Sequence, residues 1–222
     1  IKFRKPLKER HTLLLNNTDI SRNDDKGVFV PSPNIILKEE LMPNNNGEYK
    51  INFKIQNPLL WFPYGYGSIY IYSADVCLDS VNNVIDTKNF GIRKVELVRE
   101  KDSIGESFFF KVNDKPVFIK GANYIMTDKN KDEDIYKAYA ANLNMFRIWG
   151  GSSYGDDEFY DMCDKWGIMV WQDFPFACDI YPSDSSFLNN VKEEATQNII
   201  RLSSHPSLSL FCGNNEIWEG IF

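Results

Sequence analysis

Glu216 closes the stretch Leu208-Ser209-Leu210-Phe211-Cys212-Gly213-Asn214-Asn215-Glu216, and its carboxyl is the leading candidate for proton chemistry. The stretch begins as a mostly apolar strand of the kind buried on both faces of a parallel sheet, then switches to two amides and an acid. Three other apolar runs end in the same way. Phe118–Asn123 ends in an amide, and Met145–Trp149 carries Arg147 and Trp149. Ile168–Phe174 carries Trp171, Gln172 and Asp173. Four such ends brought together make a pocket of acid, amide, guanidinium and indole. Sugars fit that mixture, because they present hydroxyls at their edges and C–H groups on their faces. Each residue also has a plainer reading. Glu216 could open a helix, where acids are favoured. Arg147 and Asp173 could be a structural ion pair, and that pair could still tune or orient the acid. Trp149 and Trp171 could be pocket wall or core.

The elements that would position these residues alternate. Asp132–Leu143 reads as a helix with Ile135, Tyr139 and Leu143 on one face. Asp156–Trp166 reads as a second, stopped by Gly167. Phe187–Leu202 reads as a third, with Pro206 blocking its continuation. Strand–helix alternation predicts a parallel sheet, either an open sheet or a barrel whose chemistry sits at the carboxyl ends of its strands. No Gly-x-Gly-x-x-Gly follows the first strand, so Gly150-Gly151 is read as room for close backbone approach. Four strands are half of an eight-stranded barrel, so the chain is expected to be part of a longer one.

Before residue 100 the pattern is strand-like. Ile51, Phe53 and Ile55 alternate with polar residues, Ser68–Leu78 is long and apolar, and Phe90–Arg99 reads as a further strand. Gly27–Pro33 opens on a short apolar run, Pro43–Gly47 and Asp79–Asn83 read as turns, and Asn16–Asp19 reads as a loop. A hairpin over 107–119 turns at Asn113–Pro116. The expected fold is multidomain β plus α/β: a β-sandwich over residues 1–100 and the first half of a (β/α)8 barrel over 101–222.

Composition narrows the partners. With 31 acidic against 25 basic residues the net charge is -6, which argues against a nucleic-acid partner. No run approaches a membrane span. The four cysteines, Cys77, Cys163, Cys178 and Cys212, lack metal-type spacing and read as small core residues. His11 and His205 are far apart in sequence, and no metal site is expected. The start at Ile1 is read as a non-native N-terminus.

Several segments together resemble the β-mannosidase branch of glycoside hydrolase family 2. They are Asn57–Gly67, Phe90–Leu97, Lys120–Asn123, Asn144–Gly151, Val170–Phe174, Phe176–Cys178, and His205-Pro206-Ser207 through Glu216. The resemblance covers about residues 50 to 222, with Tyr124 standing where the family usually has Trp. It implies an immunoglobulin-like sandwich joined to a TIM barrel, and a retaining exo-acting enzyme on terminal β-mannosyl residues. It further implies Glu216 as acid/base, with Asn215 beside it at the sugar's 2-hydroxyl. Arg147 would support the carboxylates, and Trp149 and Asp173, with Asn123, would line the subsite. The nucleophile belongs to a later strand, and no cofactor is implied. An extracytoplasmic compartment is implied by the resemblance alone. Alternatives are a family 2 β-galactosidase or β-glucuronidase, and a non-catalytic carbohydrate-binding protein.

Overall fold

The computed structural model describes residues 11–19, 34–41, 54–78, 83–127 and 130–217. The chain divides into two compact units, one of Ile1–Trp61 with Ser68–Ile92 and one of Phe62–Gly67 with Arg93–Phe222.

The first unit contains β1 (His11–Asp19), β2 (Asn34–Leu41), β3 (Tyr70–Leu78) and β4 (Val84–Phe90). They form one antiparallel sheet in the order β2-β1-β3-β4. Leu13, Leu15, Ala74 and Val76 are buried on one face, with Ile55 and Phe90 packed against them. The register opposes Leu13 to Val76 and Leu15 to Ala74, so the cross-strand pairs are the core contacts. Asn16–Asp19, expected as a loop, completes β1 instead. Asn17 and Thr18 pair with Tyr72 and Ile71, and this long partner strand overrides the local turn preference of Asn and Asp. The alternation expected over 51–55 falls partly outside the described residues, and Lys54 and Ile55 lie in no strand. Gly27–Pro33, Pro43–Gly47 and residues 79–82 lie outside them.

The expected strand over Phe90–Arg99 is two strands. It ends β4 at Phe90 and resumes as β5 (Val95–Val98). β5 pairs with the hairpin of β6 (Phe109–Val112) and β7 (Lys115–Val117), giving a three-stranded antiparallel sheet in the second unit. The hairpin turn needs left-handed backbone at two positions, and Asn113 (φ 49) and Asp114 (φ 65) supply it.

The rest of the second unit alternates as expected: β8 (Gly121–Tyr124), α1 (Lys131–Ala140), β9 (Met145–Ile148), α2 (Asp157–Trp166), β10 (Met169–Asp173), α3 (Ser185–Leu202) and β11 (Leu208–Cys212). All pairings are parallel, in the order β11-β10-β9-β8. Tyr124, Phe146, Ile148, Val170 and Leu208 join Ile135, Phe159, Cys163 and Leu202 of the three helices in one buried cluster. α1 ends three residues before the expected Leu143, in a Schellman motif. Asn142 takes φ 59, Asn142 N–H bonds Tyr139 O, and Leu143 N–H bonds Ala138 O. β8 starts at Gly121 rather than Phe118. Asn144 holds the preceding residues by accepting from Lys120 N–H and donating to Phe118 O.

At the start of β11, buried His205 Nδ1 lies 2.7 Å from Asp164 Oδ2, while Asp164 Oδ1 accepts from Ser207 N–H at 2.9 Å. Arg93 donates to Pro206 O and Leu208 O, and burial lowers its pKa. These bonds fix where β11 enters the sheet and therefore where its far end emerges.

Candidate active site

Sheet register sorts the candidate residues by face. Asn123, Arg147 and Trp171 are opposite one another across β8, β9 and β10. Each lies one residue before the layer Tyr124, Ile148 and Gln172, which is buried toward the helices. Alternation along a strand therefore aims Arg147, Trp171 and Asp173 away from the helices. Asp173 ends β10 opposite Cys212, the last residue of β11.

Asp173 is 1% exposed and fully saturated. Its Oδ1 accepts from Trp171 Nε1 at 2.9 Å and from Arg147 Nε at 3.3 Å. Its Oδ2 accepts from Arg147 Nη2 at 2.7 Å and from Gly150 N–H at 3.1 Å. A carboxylate has about four acceptor positions, and protein donors take all of them. Beneath it, Gln172 donates from Nε2 to Asp173 O and accepts from Tyr160 Oη at 2.6 Å. Burial raises the Tyr160 pKa well above its ordinary value.

Arg147 Nη2 also donates to Asn215 Oδ1 at 2.8 Å, which turns the amide Nδ2 the other way. Its guanidinium carbon lies 5.8 Å from the Trp171 ring centre. Asn215 is positioned by backbone as well. Its N–H donates to Phe176 O at 2.8 Å, its carbonyl accepts from Cys178 N–H at 3.0 Å, and it makes a parallel bridge to Ala177. Gly150 permits this approach. A Cβ there would stand 2.6 Å from Phe176 O and 3.3 Å from Asn215 Cβ. At Gly151 a Cβ would run into the Trp149 ring, at 2.1 Å. The Gly150-Gly151 pair thus provides the close approach expected of it.

Glu216 follows at φ 52 and is exposed. Its left-handed backbone directly precedes Ile217, which is in 3-10 conformation. Its Oε2 lies 3.5 Å from Cys178 Sγ. Asn123 stands beside Arg147 in register, and Trp149 follows β9 with its N–H on Tyr124 O; both lie outside the hydrogen-bonded network.

Cys178 and Cys212 depart from the expected core role. Cys77 and Cys163 are buried, but Cys178 is exposed and Cys212 half-buried at the sheet end. No local pattern marks Cys178, because its place depends on the bridge to Asn215. Among the described residues, Asp161, Asp164 and His205 bring potential metal-ligand atoms within 4.8 Å of one another. Both Asp164 oxygens already hold His205 and Ser207, an arrangement that fixes the chain at the start of β11.

A scan against protein-family models finds no match. Among curated proteins, the chain is 38% identical over 194 residues to a β-mannosidase B of Aspergillus clavatus, covering 82% of this chain and 23% of that protein. It is 42% identical over 168 residues to a β-mannosidase of Bos taurus, covering 70% and 19%. The chain thus spans about a quarter or less of the length of these relatives. The solved β-D-mannosidase of Dictyoglomus thermophilum is similar at TM-score 0.70 and 38% identity, over 95% of this chain and 26% of that one. A β-glucuronidase of Bacteroides uniformis shares the fold at TM-score 0.67 and 21% identity, over 98% of this chain and 25% of that one.

Proposed function

Because this chain belongs to the β-mannosidase family over the length it covers, we propose that it is part of a retaining, exo-acting β-mannosidase of glycoside hydrolase family 2. Its substrates are terminal β-mannosyl residues of oligosaccharides. The elements from β8 to β11 belong to the first half of the catalytic (β/α)8 barrel, and the first unit, Ile1–Trp61 with Ser68–Ile92, belongs to an immunoglobulin-like sandwich, so the division falls after Ile92 rather than at residue 100, with β5 beyond it. The parallel order β11-β10-β9-β8 with intervening helices supports the barrel half, and the antiparallel sheet of the first unit supports the sandwich. A compartment outside the cytoplasm goes with this reading, and no helix among the described residues is long and apolar enough to cross a membrane.

The observation that carries the reading is the placement of Glu216. It lies just past the carboxyl end of β11, joined to an Asn215 whose amide Arg147 orients. Glu216 is the acid/base. It protonates the glycosidic oxygen as the leaving group departs, and then takes a proton from the water that releases the sugar. A retaining enzyme needs a second carboxylate about 5 to 5.5 Å away as nucleophile. Asp173 is already held by four donors, which supports a nucleophile supplied from outside residues 1–222. Asn215 Nδ2 is free of Arg147 and serves the sugar's 2-hydroxyl region. Arg147, Trp149, Asp173 and Asn123 complete the subsite, with Asp173 acting chiefly as the anchor of Arg147.

The test is Glu216→Ala in the full-length enzyme. With an oligosaccharide, glycosylation should fall by about 10² to 10⁴, the usual worth of general acid catalysis. With a dinitrophenyl mannoside, the first step should survive and deglycosylation should slow, giving a burst. Azide needs no base and should restore turnover as the β-mannosyl azide. Equal losses on both substrates, without azide rescue in a folded variant, would refute the assignment. A panel of aryl glycosides on the unaltered enzyme tests the sugar, and hydrolysis of a galactoside or glucuronide in preference to the mannoside would overturn it.

A further inference from the structure

We infer that Cys178 is a positioning residue for the Glu216 carboxyl group, holding the acid/base in its working orientation through its thiol and through the backbone bridge to Asn215. The inference rests on the reading of Glu216 as acid/base.

Two exposed residues, distant in sequence, meet in unusual backbone. Cys178 has φ 49 and Glu216 φ 52. Left-handed backbone at a side-chain-bearing residue is strained and persists only where the surroundings over-determine it. Here the surroundings are the same few bonds for both. Phe176 O receives Asn215 N–H, and Asn215 O receives Cys178 N–H. Across that bridge, the Cys178 thiol lies 3.5 Å from Glu216 Oε2 and accepts from Asn215 Nδ2 at 3.6 Å. One sulfur therefore touches both the candidate acid and the amide beside it. It explains why this cysteine is on the surface while Cys77 and Cys163 are in the core.

The chemistry of the contact suits a group that must cycle its proton. A guanidinium or a backbone N–H would favour the carboxylate form and leave less of the group protonated at working pH. At this site those strong donors are spent elsewhere. Arg147 holds Asp173 and Asn215, and Gly150 N–H holds Asp173. A thiol is a weak donor and a weak acceptor. It can donate to the ionised carboxyl or accept from the protonated one, and it fixes orientation with little preference between them. Its own proton is not transferred in the reaction.

The experiment compares Cys178→Ala and Cys178→Ser with the unaltered and Glu216→Ala full-length enzymes. Each is assayed against pH on aryl β-mannosides with poor and good leaving groups. Cys178→Ala should lose about three- to tenfold in kcat on the poor leaving group, with KM little changed and a much smaller loss on the good one. Its basic pH limb should move only slightly, and upward, because a weak donor to the ionised form is gone. Cys178→Ser, which keeps a donor and acceptor, should recover most of the loss. As a check by chemical modification, the native enzyme is treated with methyl methanethiosulfonate, with Cys178→Ser as the control. This forms a methyl disulfide on the thiol and releases methanesulfinate. Leaving-group dependence should steepen in the native enzyme and not in Cys178→Ser. An unchanged pH profile and leaving-group dependence after both treatments would overturn the inference, as would equal losses on every substrate. If Glu216→Ala itself lacks leaving-group dependence, the acid/base reading falls. If Glu216→Ala behaves as expected and Cys178 is silent, only the positioning role falls.

Discussion

At the scale of single residues, the decisive arrangement is the one around Arg147. Its planar fork makes two bonds to Asp173 and one to Asn215, a geometry an ammonium cannot reproduce. Arg147→Lys keeps the charge but loses part of the fork, and should cost about 1.5 to 3 kcal/mol in chemical denaturation. Arg147→Met leaves the Asp173 side chain, 0% exposed, without its counter-ion and should cost more, about 3 kcal/mol even though Arg147 is itself part-exposed. Equal stability of the lysine and native proteins would show that charge alone matters. The glycines give a paired prediction. Gly150→Ala drives a Cβ against Phe176 O and should destabilise by about 1 to 3 kcal/mol while displacing Asn215 and lowering activity. Gly213 has nothing within 4 Å of a Cβ, so Gly213→Ala should stay within about 0.5 kcal/mol. Melting curves of the two variants decide it, and similar shifts would mean the close approach at Gly150 does not constrain the fold.

At the scale of elements, what could be read in the sequence was what is local. Both ends of α2 were visible, as Asp156 accepts from Phe159 N–H and Gly167 takes φ 68. The end of α1 was not, because apolar periodicity continues to Leu143 while Asn142 has already turned the chain. Asn16–Asp19 reads locally as a loop, yet its strand conformation comes from a partner far along the chain. In the candidate site, Glu216, Asn215, Arg147 and Asp173 could be named from strand ends, since register alone brings such ends together. The contact of Cys178 with Glu216 could not, because it depends on a loop-to-loop bridge. The α2 cap also carries a pH prediction. The bond from Lys131 holds the Asp156 pKa below its ordinary 3.8, with Phe159 N–H acting in the same direction. A carboxyl with a lowered folded pKa stabilises the fold above its unfolded pKa, and loses that effect as pH falls through the folded value. Asp156→Ala should therefore cost about 1 kcal/mol near neutrality, and the difference should begin to shrink as pH falls below 3.8 and vanish only beneath the lowered folded value. A gap between the proteins that persists in acid would assign the effect to packing instead.

At the scale of the whole molecule, α3 is the element whose surface asks for a partner. Phe187, Val191 and Ala195, half-buried, and Leu202, buried, follow one helical stripe. Leu188 and Ile199, about three turns apart and on one side, remain 52% and 41% exposed, and Ile200 is 58% exposed. The sheet meanwhile ends at β8 and β11, each with one neighbour among the described residues. An open parallel edge beside exposed aliphatic side chains invites self-association. If residues 101–222 are half of a barrel, the next strand pairs with β11 and the next helix covers this side of α3. The 222-residue chain alone should then fail to turn over an aryl β-mannoside above a Glu216→Gln control, and should associate with itself in solution. Ile199→Glu separates the two settings. In the isolated chain the position faces water, so the change should fall within about 0.5 kcal/mol and should reduce association. In the full-length protein it would place a carboxylate between packed helices, a change worth several kcal/mol because a buried charge has no counter-ion there. Denaturation and sedimentation of both lengths, each with and without the substitution, give the answer. A neutral outcome in the long protein would mean that α3 faces solvent there too, and the half-barrel assignment would have to be abandoned.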